Sequence, residues 1–225
     1  MLSSNIAVTG GNGLLSTELK KINNDLTLFS KEKVDVRNPL TFYHLDDFDC
    51  VLHTAAKIDV SKVKGNETDF IETNIIGTAN LSNYCLRKNK RLIYISTDYV
   101  YTGNGNHKED EPILPYNIYA WSKLGGEASV RFLENHLIIR TSFGPSKFPY
   151  ETAFDNLYTS KDYVDKITPL INKIIQTDIK GVINVGNHRK SVYEWASDRN
   201  SVNIGKLEVS KDFSMNLDKL NNIWE

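Results

Sequence analysis

The feature that most constrains the fold of this chain is a series of short apolar segments, each followed by a segment of helical period. The apolar segments lack polar alternation, which predicts strands that are buried on both faces of a parallel sheet. Because crossovers between parallel strands are right-handed, the order predicts an α/β fold with a doubly wound, Rossmann-like sheet. The predicted strands are 5–8, 26–29, 50–56, 91–96, 136–142 and 181–186, and the predicted helices lie at about 13–23, after Pro39, and at about 67–89, 116–133 and 162–176.

The organisation of the chain changes after the fifth predicted strand. Residues 143–165 and the stretch from Ser197 onward follow neither the helical nor the strand period closely. We therefore predict a dinucleotide-binding domain over residues 1–142. Residues 143–225 are predicted to form a small, reduced substrate lobe that is interleaved with the last strands of the same fold.

Composition and charge exclude several classes of protein. With 27 Lys and Arg against 28 Asp and Glu, the 225-residue chain lacks the basic surface that nucleic acids or anionic membranes require. No apolar stretch approaches the ~20 residues of a membrane span, and the first residues do not resemble a signal peptide. The two cysteines are expected to be reduced and buried, and the five histidines have no metal-site spacing. We therefore expect a cytoplasmic protein without a bound metal.

A glycine-rich turn follows the first predicted strand. In "VTGGNGLLS", Gly10 and Gly13 are three residues apart, and Ser16 takes the third small position. Glycine lets backbone N–H groups approach a pyrophosphate, which the N-terminus of the following helix stabilises. Because the turn lies at the first strand–helix junction of the predicted sheet, we prefer dinucleotide binding to a purely structural turn.

The end of the second predicted strand bears on the choice of cofactor. An NAD site usually places a carboxylate there, which binds the ribose 2′-OH. In "FSKEK" (29–33), Lys31 and Lys33 are instead suited to a 2′-phosphate, which slightly favours NADP. Glu32 and Asp35 keep NAD as the alternative.

The segment "YAWSK" places Tyr119 and Lys123 four residues apart, on one face of a predicted helix. A neighbouring ammonium favours the phenolate and lowers a phenol pKa that is otherwise about 10, so that the phenol can exchange a proton with a carbonyl oxygen. A second pair, Tyr84 and Lys88, has the same spacing. We interpret the second pair as a coincidence, because it lies near the end of its helix, away from the expected ligand edge.

Polar side chains follow the fourth predicted strand, where "RLIYIS" runs into "STDYVYTGNG" (96–105). Ser96, Thr97 and Asp98 are expected to face the crevice at the carboxyl ends of the strands, where such sheets bind ligands. A hydroxyl there can stabilise the charge that develops on a reacting oxygen. The alternative is that these residues cap a turn. The glycine turn and the Tyr119–Lys123 pair make the substrate role the preferred interpretation.

The motifs "TGGNG", "HTAA", "STDYVYTG", "YAWSK" and "IIRTS" together resemble those of the extended short-chain dehydrogenase/reductases, and most of all their dTDP-4-dehydrorhamnose reductase branch. The resemblance runs to about Ser142 and returns in "GVINVGNHRKSVYEWA". It implies an NAD(P)H-dependent reductase of a nucleotide-linked 4-keto-6-deoxy sugar, with the proton supplied by Tyr119. The alternatives are an NAD-dependent sugar-nucleotide epimerase or dehydratase, and a non-catalytic dinucleotide-binding regulatory subunit.

The resemblance and the local patterns together assign three sets of residues. Catalysis is assigned to Thr97, Asp98, Tyr119 and Lys123. Cofactor binding is assigned to Gly10, Asn12, Gly13, Leu14, Ser30, Lys31, Asp35, Val36, Ala55, Ala56 and Lys57, together with Tyr119 and Lys123. Substrate binding is assigned to Ser96, Asp98, Arg140, Phe143 and Arg189. For Arg189, a solvated position at a helix start is the alternative to binding a diphosphate.

Two departures from the family bear on the substrate and on partners. Phe143 stands where the family usually has a tryptophan, and the chain is shorter than its relatives in the region that builds the substrate lobe. Trp121 lies between Tyr119 and Lys123 in the chain, so its side chain is expected to point away from theirs. We expect Trp121 to pack in the protein or to contact a second copy in a homodimer.

Overall fold

The computed structural model of this protein describes residues 5–58 and 64–223. Six of its strands form one parallel sheet, and seven shorter strands form three small sheets. The strands are β1 (Ile6–Thr9), β2 (Leu26–Phe29), β3 (Cys50–His53), β4 (Arg91–Thr97), β5 (His136–Thr141), β6 (Phe143–Gly144), β7 (Thr152–Phe154), β8 (Leu157–Thr159), β9 (Asp162–Tyr163), β10 (Gly181–Val185), β11 (Lys190–Ser191), β12 (Asn203–Gly205) and β13 (Lys211–Phe213).

Helices connect the strands of the main sheet. A 3-10 helix (Pro39–Leu45) precedes β3, and another (Asp98–Val100) follows β4, while a π-helical segment (Ile71–Gly77) joins two α-helices into one continuous helical stretch. The α-helices are α1 (Leu14–Ile22), α2 (Glu67–Phe70), α3 (Thr78–Arg87), α4 (Ile118–Val130), α5 (Val164–Ile175), α6 (Val192–Ser197) and α7 (Asp218–Asn221).

Both faces of the main sheet are covered, as a doubly wound fold requires. Successive strand residues point to opposite faces, so Val51 and Leu52 belong to different apolar clusters. On the face of Leu52 the sheet packs against α1 and α5, which contribute Leu19 and Ile171. On the other face it packs against the first 3-10 helix, α3 and α4, through residues such as Leu81. The predicted doubly wound α/β fold is therefore confirmed.

The order of strands across the main sheet is β10–β5–β4–β3–β1–β2. The chain adds β2 on one side of β1 and β3 on the other, so the strand order reverses between β1 and β3. Such a reversal opens a crevice at the carboxyl ends of the strands. This crevice lies between the glycine turn after β1 and residues 54–57 after β3.

His53 joins the elements beside this crevice. Its Nδ1 lies 2.8 Å from Thr9 Oγ1 on β1, and its Nε2 lies 3.0 Å from Thr78 Oγ1 on α3. Burial lowers the pKa of His53 to about 3, so the ring is neutral at physiological pH. A neutral imidazole that bonds on both sides holds β1, β3 and α3 in register.

The predicted helix over 67–89 contains a π-helical segment that the sequence did not reveal. Ile71, which the helical period places on the buried face, is 48% exposed, whereas Asn74 is fully buried. The extra residue of a π turn rotates the positions before it relative to those that follow. At this point α4 packs closely against the π-helical segment: a Cβ on Gly126 would lie only 2.8 Å from the Asn74 carbonyl oxygen.

The region after β5 contains more regular structure than the sequence predicts. Its three small sheets have the orders β11–β8–β13, β12–β7 and β6–β9, with strands of only two or three residues. Such strands are too short for a visible period, which explains why residues 143–165 were predicted to be weakly structured. Within this region β10 joins the main sheet, and α5 and α7 pack against it. The domain boundary at residue 142 stays a prediction.

Three further findings concern the described residues, 5–58 and 64–223. Cys50 and Cys85 are buried and unpaired, and burial raises the pKa of each thiol to about 12. No helix in these ranges combines the length and the apolar character that would let it cross a bilayer. The same ranges contain no group of three or more His, Cys, Asp or Glu side chains placed to bind a metal.

Candidate active site

The glycine turn after β1 presents backbone rather than side chains at the edge of the sheet. Gly10 has a φ of +72°, and a Cβ there would lie 2.7 Å from the backbone of Ala55. The amide of Gly13 donates to the Gly10 carbonyl at 2.9 Å, and no side chain caps the N-terminus of α1. Asn12 and Leu14 are exposed beside this turn. An uncapped helix N-terminus behind a glycine turn is suited to an anionic group such as a pyrophosphate.

Ser16 strengthens the turn. Its hydroxyl donates to the Gly10 carbonyl at 3.1 Å and lies 2.7 Å from Thr54 Oγ1, which in turn donates to the Thr9 carbonyl at 2.7 Å. Ser16 is fully buried. The third small position therefore carries a hydroxyl that a glycine would lack, and this hydroxyl ties α1 to the ends of β1 and β3.

The predicted cofactor residues after β2 lie in different environments. Ser30 and Lys31 follow directly on Phe29, whose carbonyl accepts a hydrogen bond from Gly11 N at 2.8 Å. The Asp35 carboxylate accepts hydrogen bonds from Arg37 Nε at 3.1 Å and Nη2 at 2.9 Å, and Arg37 lowers the pKa of this carboxyl. Arg37 is a residue that the sequence reading did not single out.

Val36 is placed differently from its neighbours. Its side chain is buried in the apolar cluster on the α3 face of the sheet. A Cβ on Gly77 would lie 2.7 Å from Val36 Cγ2, so the helical segment that carries Gly77 and the loop that carries Val36 are in close contact. The adenine role that the resemblance implies for Val36 stays a prediction, and any such contact would have to come from its backbone.

Asn74 connects the end of β3 to α4. Its side chain accepts a hydrogen bond from Lys57 N at 2.8 Å and donates to Lys57 O at 2.9 Å and to Ser122 Oγ at 2.8 Å. The Lys57 side chain pairs with Asp69 at 2.8 Å. Residues 55–57 are thereby placed between the glycine turn, through Ala55, and the helix that carries Tyr119 and Lys123. The sequence contains a sign of this role, because Asn74 is a polar residue on the otherwise apolar face of the helix predicted over 67–89.

Lys123 is buried one turn into α4, and only 2% of its surface is exposed. Its Nζ lies 4.1 Å from the centre of the Tyr94 ring on β4. Burial lowers the pKa of Lys123 from 10.5 to about 7, and the negative charge of Glu127 partly offsets this effect. The lysine is thus poised between its charged and neutral forms at physiological pH.

Tyr119 is half-buried in the first turn of α4, which begins where the Asn117 side chain accepts a hydrogen bond from Ala120 N at 2.8 Å. Burial and, second, the charge of Asp98 raise the pKa of Tyr119 above its ordinary value. The sequence predicted the opposite direction, from the ammonium of Lys123. In this structure the removal of water from the phenol and the nearby carboxylate outweigh that effect.

Thr97 and Asp98 lie at the end of β4, next to Tyr119. Thr97 Oγ1 donates to Asp98 Oδ1 at 3.2 Å and accepts from Tyr99 N at 3.3 Å, so Thr97 also caps the short 3-10 helix. Asp98 is fully buried, and burial raises its pKa from 3.8 to about 6. Lys161 and the hydroxyls of Thr97 and Ser142 favour its charged form. The capping interpretation and a position beside Tyr119 are therefore compatible.

Two predicted substrate residues instead form an internal network with Glu127. Ser96 Oγ donates to Glu127 Oε1 at 2.6 Å, and Arg140 donates to both carboxylate oxygens at 3.1 and 2.9 Å. All three side chains are at most 3% exposed. A carboxylate buried on α4 needs such partners. The structure therefore places the polar atoms of Ser96 and Arg140 between β4, β5 and α4, where Glu127 binds them, and their contact with substrate stays a prediction.

The other two predicted substrate residues lie apart from this network. Phe143 is half-buried and packs against the apolar cluster that includes α1 and α5. Arg189 donates through Nε to Asp212 at 2.6 Å, and its guanidinium lies 3.6 Å from the centre of the Tyr158 ring. The Arg189 side chain is 51% exposed. Its donors are partly used within the lobe, so the structure does not bring it together with Thr97 and Tyr119.

A cleft of about 720 Å³ opens beside Tyr99, the residue after Asp98. Eight of its 17 lining residues are aromatic, and the lining also contains Lys161 and Lys211 as cations and Glu151 as an acid. The sequence reading missed this surface, because most of it comes from the short strands and loops after residue 147. The aromatic residues of the lining are Tyr99, Tyr116, Phe148, Tyr150, Phe154, Tyr158, Trp195 and Phe213.

Comparison with known proteins matches residues 4–164 to the family described as RmlD substrate binding domain. The dTDP-4-dehydrorhamnose reductase of Mycobacterium tuberculosis (strain CDC 1551 / Oshkosh) is 30% identical over 139 residues, 57% of this chain and 46% of the relative. The dTDP-D-glucose 4,6-dehydratase of Mus musculus is 30% identical over 163 residues, 69% of this chain and 42% of the relative. The chain therefore spans less than half the length of these relatives.

Among solved structures, the dTDP-4-dehydrorhamnose reductase of Bacillus anthracis str. Ames in complex with NADP is similar over nearly the whole chain. The TM-score is 0.84 at 24% identity, and the match covers 97% of this chain and 92% of the other. At this identity the likeness establishes the fold. It extends beyond the main sheet to the region after residue 142.

Proposed function

This chain belongs to the RmlD substrate binding domain family, and on that premise we propose that it is an NAD(P)H-dependent reductase of a nucleotide-linked 4-keto-6-deoxy sugar. The observation that carries the proposal is the position of Tyr119 and Lys123. They lie on α4 beside Asp98, and Asn74 links α4 to the strand end that contacts the glycine turn. A proton donor and a dinucleotide cradle at one edge of a parallel sheet suit the reduction of a carbonyl group.

The residues around the glycine turn fit a dinucleotide. A side chain at Gly10 would fill the space against Ala55, and the N-terminus of α1 has no side-chain cap. Gly10, Asn12, Gly13 and Leu14 would hold the pyrophosphate. When bound, the reduced nicotinamide supplies the hydride.

NADP remains the preferred cofactor. Because Arg37 binds both oxygens of the Asp35 carboxylate, its charge is partly neutralised and fewer acceptor sites remain for a ribose 2′-OH. Lys31 follows β2 and provides a cation for a 2′-phosphate. The resolved relative from Bacillus anthracis is itself in complex with NADP. Comparing the affinities for NADPH and NADH decides between the two cofactors.

The roles of the catalytic residues follow from their environments. The raised pKa of Tyr119 keeps its phenol protonated at neutral pH, as a proton donor must be. Lys123, with a pKa of about 7, carries a partial positive charge that stabilises the phenolate once the proton has left. Thr97, at the end of β4, orients the oxygen that receives the proton. Asp98 sets the electrostatic surroundings of all three.

The aromatic cleft supports a nucleotide-linked substrate. Rings such as Tyr116 and Phe213 provide faces on which a base can stack, and Lys211, 4.5 Å from the centre of the Tyr116 ring, provides a cation at the same wall. The cleft reaches Tyr99, which adjoins Asp98 in the chain. A sugar attached to a nucleotide in this cleft would therefore extend toward Tyr119.

A direct assay tests the proposal. Purified protein is mixed with NADPH or NADH and with dTDP- or UDP-linked 4-keto-6-deoxyglucose or dTDP-4-dehydrorhamnose, and the loss of reduced nicotinamide absorbance is followed. We expect consumption of the reduced cofactor in proportion to the keto sugar, and none with dTDP-glucose, whose sugar has no keto group. Absence of turnover with every keto sugar would overturn the substrate assignment.

A second candidate is a sugar-nucleotide epimerase or dehydratase, which the similarity to the mouse dTDP-D-glucose 4,6-dehydratase favours. Such an enzyme returns the hydride to its substrate and consumes no cofactor overall. Conversion of dTDP-glucose without loss of NAD(P)H would therefore support this candidate. Tight dinucleotide binding without any turnover would instead support a regulatory subunit.

The predicted homodimer remains a proposal. Trp121 is 54% exposed on α4, and Phe132, just after this helix, is 80% exposed. Large exposed aromatic residues are enriched at interfaces between proteins. Sedimentation of the wild-type chain and of Trp121→Glu tests the proposal, and a wild-type monomer would contradict it.

A further inference from the structure

Lys161 lies in the turn between β8 and β9 and lines the aromatic cleft. Its backbone N–H donates to Thr159 Oγ1 at 2.9 Å. Its Cε passes 3.6 Å from the point where Gly144 would carry a Cβ, and its Nζ lies 4.9 Å from the centre of the Trp195 ring. The backbone and the ring together hold this ammonium at a defined place in the cleft.

The ammonium of Lys161 has no hydrogen bond or ion pair to any residue in the described ranges, 5–58 and 64–223. Burial lowers the pKa of Lys161, which reflects the loss of water around the charge. The next residue shows the opposite situation, because Asp162 is bound by Lys190 at 2.5 Å and by Asn187 at 2.7 Å. A partly desolvated cation with three unused donors favours an acceptor supplied by a ligand.

Asp98 provides the complementary group. Its carboxylate is fully buried, and Oδ1 accepts from Thr97 while Oδ2 has no hydrogen bond within the described part of the chain. Lys161 favours the charged form of Asp98, and Asp98 favours the charged form of Lys161. The two groups are nevertheless too far apart for a direct ion pair, which requires 4.0 Å or less. Asp98 does not line the cleft, so it supplies a nearby negative charge but no hydrogen-bond acceptor for Lys161.

We propose that a hydroxyl of the substrate sugar occupies this part of the cleft and accepts a hydrogen bond from Lys161 Nζ. Lys161 is then a specificity-determining residue, which distinguishes a nucleoside diphosphate that carries a sugar from one that does not. A hydroxyl is uncharged, whereas a phosphate at the same place would be repelled by the negative charge of Asp98. The inference rests on the proposed function, because it requires a nucleotide sugar in the cleft.

Calorimetric titration with two probes, dTDP-glucose and dTDP, tests this inference without relying on turnover. We expect wild-type protein to bind dTDP-glucose more tightly than dTDP. Because a hydrogen bond to a charged group is lost, Lys161→Met should weaken binding of dTDP-glucose by about 10- to 100-fold and that of dTDP by less than about twofold. Lys161→Arg, which keeps the charge, should recover part of the difference.

The matched control is Lys206→Met, in the same lobe. Lys206 is 75% exposed, lies 3.6 Å from Asp155 and does not line the cleft. We expect this variant to bind both probes like the wild type. Near-UV circular dichroism of each variant shows whether the packing around Trp195 is kept.

Other outcomes of the titrations would overturn the inference. Equal loss of both probes in Lys161→Met would place the lysine at the diphosphate, and no loss of either would leave it without a ligand role. A wild type that binds both probes equally, or neither, would remove the sugar contact. If the discrimination is found but no keto sugar is reduced, the reductase proposal fails while the role of Lys161 stands.

Discussion

The chain contains two tyrosine–lysine pairs of the same spacing, and the structure gives them opposite surroundings. Tyr84 and Lys88 lie at the end of α3 and just beyond it, and both bind Asp46, at 2.9 and 3.0 Å. The Lys88 side chain is 52% exposed, whereas Lys123 is 2% exposed. The spacing of two residues on a helix therefore does not determine whether they are buried in the fold or paired at its surface.

The difference follows from the direction of the helices relative to the sheet. In a doubly wound fold each helix runs back from the carboxyl ends of the strands toward their amino ends. Lys88 is close to the start of β4, and its partner Asp46 precedes β3, so this pair lies at the amino edge of the sheet. Tyr119 is in the first turn of α4, at the carboxyl edge where ligands bind. Position on the helix separates the two pairs.

The largest expected effect is on catalysis. Tyr119→Phe removes the proposed proton donor and should lower kcat/KM for the keto sugar by about 100- to 10,000-fold, the usual contribution of general acid catalysis. The matched control, Tyr84→Phe, removes a hydroxyl bound only to Asp46 and should change kcat/KM by less than about twofold. Steady-state kinetics with purified variants measures both.

This comparison can fail in two ways. Full activity in Tyr119→Phe would remove the proposed mechanism, because the proton would then have to come from another group. A comparable loss in Tyr84→Phe would mean that the amino edge of the sheet contributes to activity. In either case the helical position would no longer separate the two pairs.

A second prediction concerns the glycine turn, which lies at the same carboxyl edge of the sheet as Tyr119. Gly10→Ala would place a Cβ 2.7 Å from the Ala55 backbone at a φ of +72°, so the turn must shift. We expect NADPH affinity, measured by fluorescence titration, to fall by about tenfold or more, or about 1.4 kcal/mol. The control is Gly181→Ala, at a φ of +85° with no atom within 4 Å of the Cβ. The control should lose stability through backbone strain and keep its affinity, and equal losses of affinity would refute the cradle.

A third prediction concerns the stability of the fold and its dependence on pH. The folded chain holds the pKa of Lys123 at about 7, against an ordinary 10.5. Between these values the unfolded chain binds a proton that the folded chain does not, so this lysine makes stability rise with pH across that window. Lys123→Met should remove the rise and stabilise the fold most below pH 7, as urea unfolding across the window would show.

The control for this prediction is Lys88→Met. It removes an exposed ion pair, so its stability should change by about 0–1 kcal/mol, and the rise with pH should remain. If the two variants had the same pH dependence, Lys123 would be protonated in the fold like an exposed lysine. The two pairs would then differ in their position in the fold but not in the protonation of their lysines.

Several parts of the site were predictable because they depend on local chemistry. Gly10 and Gly13 were recognised from the backbone freedom that a tight turn requires, and Tyr119 and Lys123 from a helical spacing at the start of a helix. Thr97 was recognised as the hydroxyl at a strand end. Each of these inferences uses residues within a few positions of one another.

Other parts were not predictable, because they depend on partners that are distant in the chain. Ser96 and Arg140 were expected to bind substrate, but both bind Glu127, which lies 31 residues from Ser96 in the chain. The direction of the Tyr119 pKa was also wrong, since burial is a property of the whole fold. The period of the helix failed at Ile71, where a π turn rotates the chain.

The sequence by itself determined the six-stranded parallel sheet, the glycine turn and the place of Tyr119 and Lys123 at the carboxyl edge, because period, turn chemistry and helix position are local properties. Only the tertiary structure decided which tyrosine–lysine pair is buried, which polar residues serve the core, and that aromatic rings and Lys161 form a cleft beside Asp98. Burial and long-range contacts arise when distant segments pack, and strands of two or three residues leave no periodic signal of where they will pack.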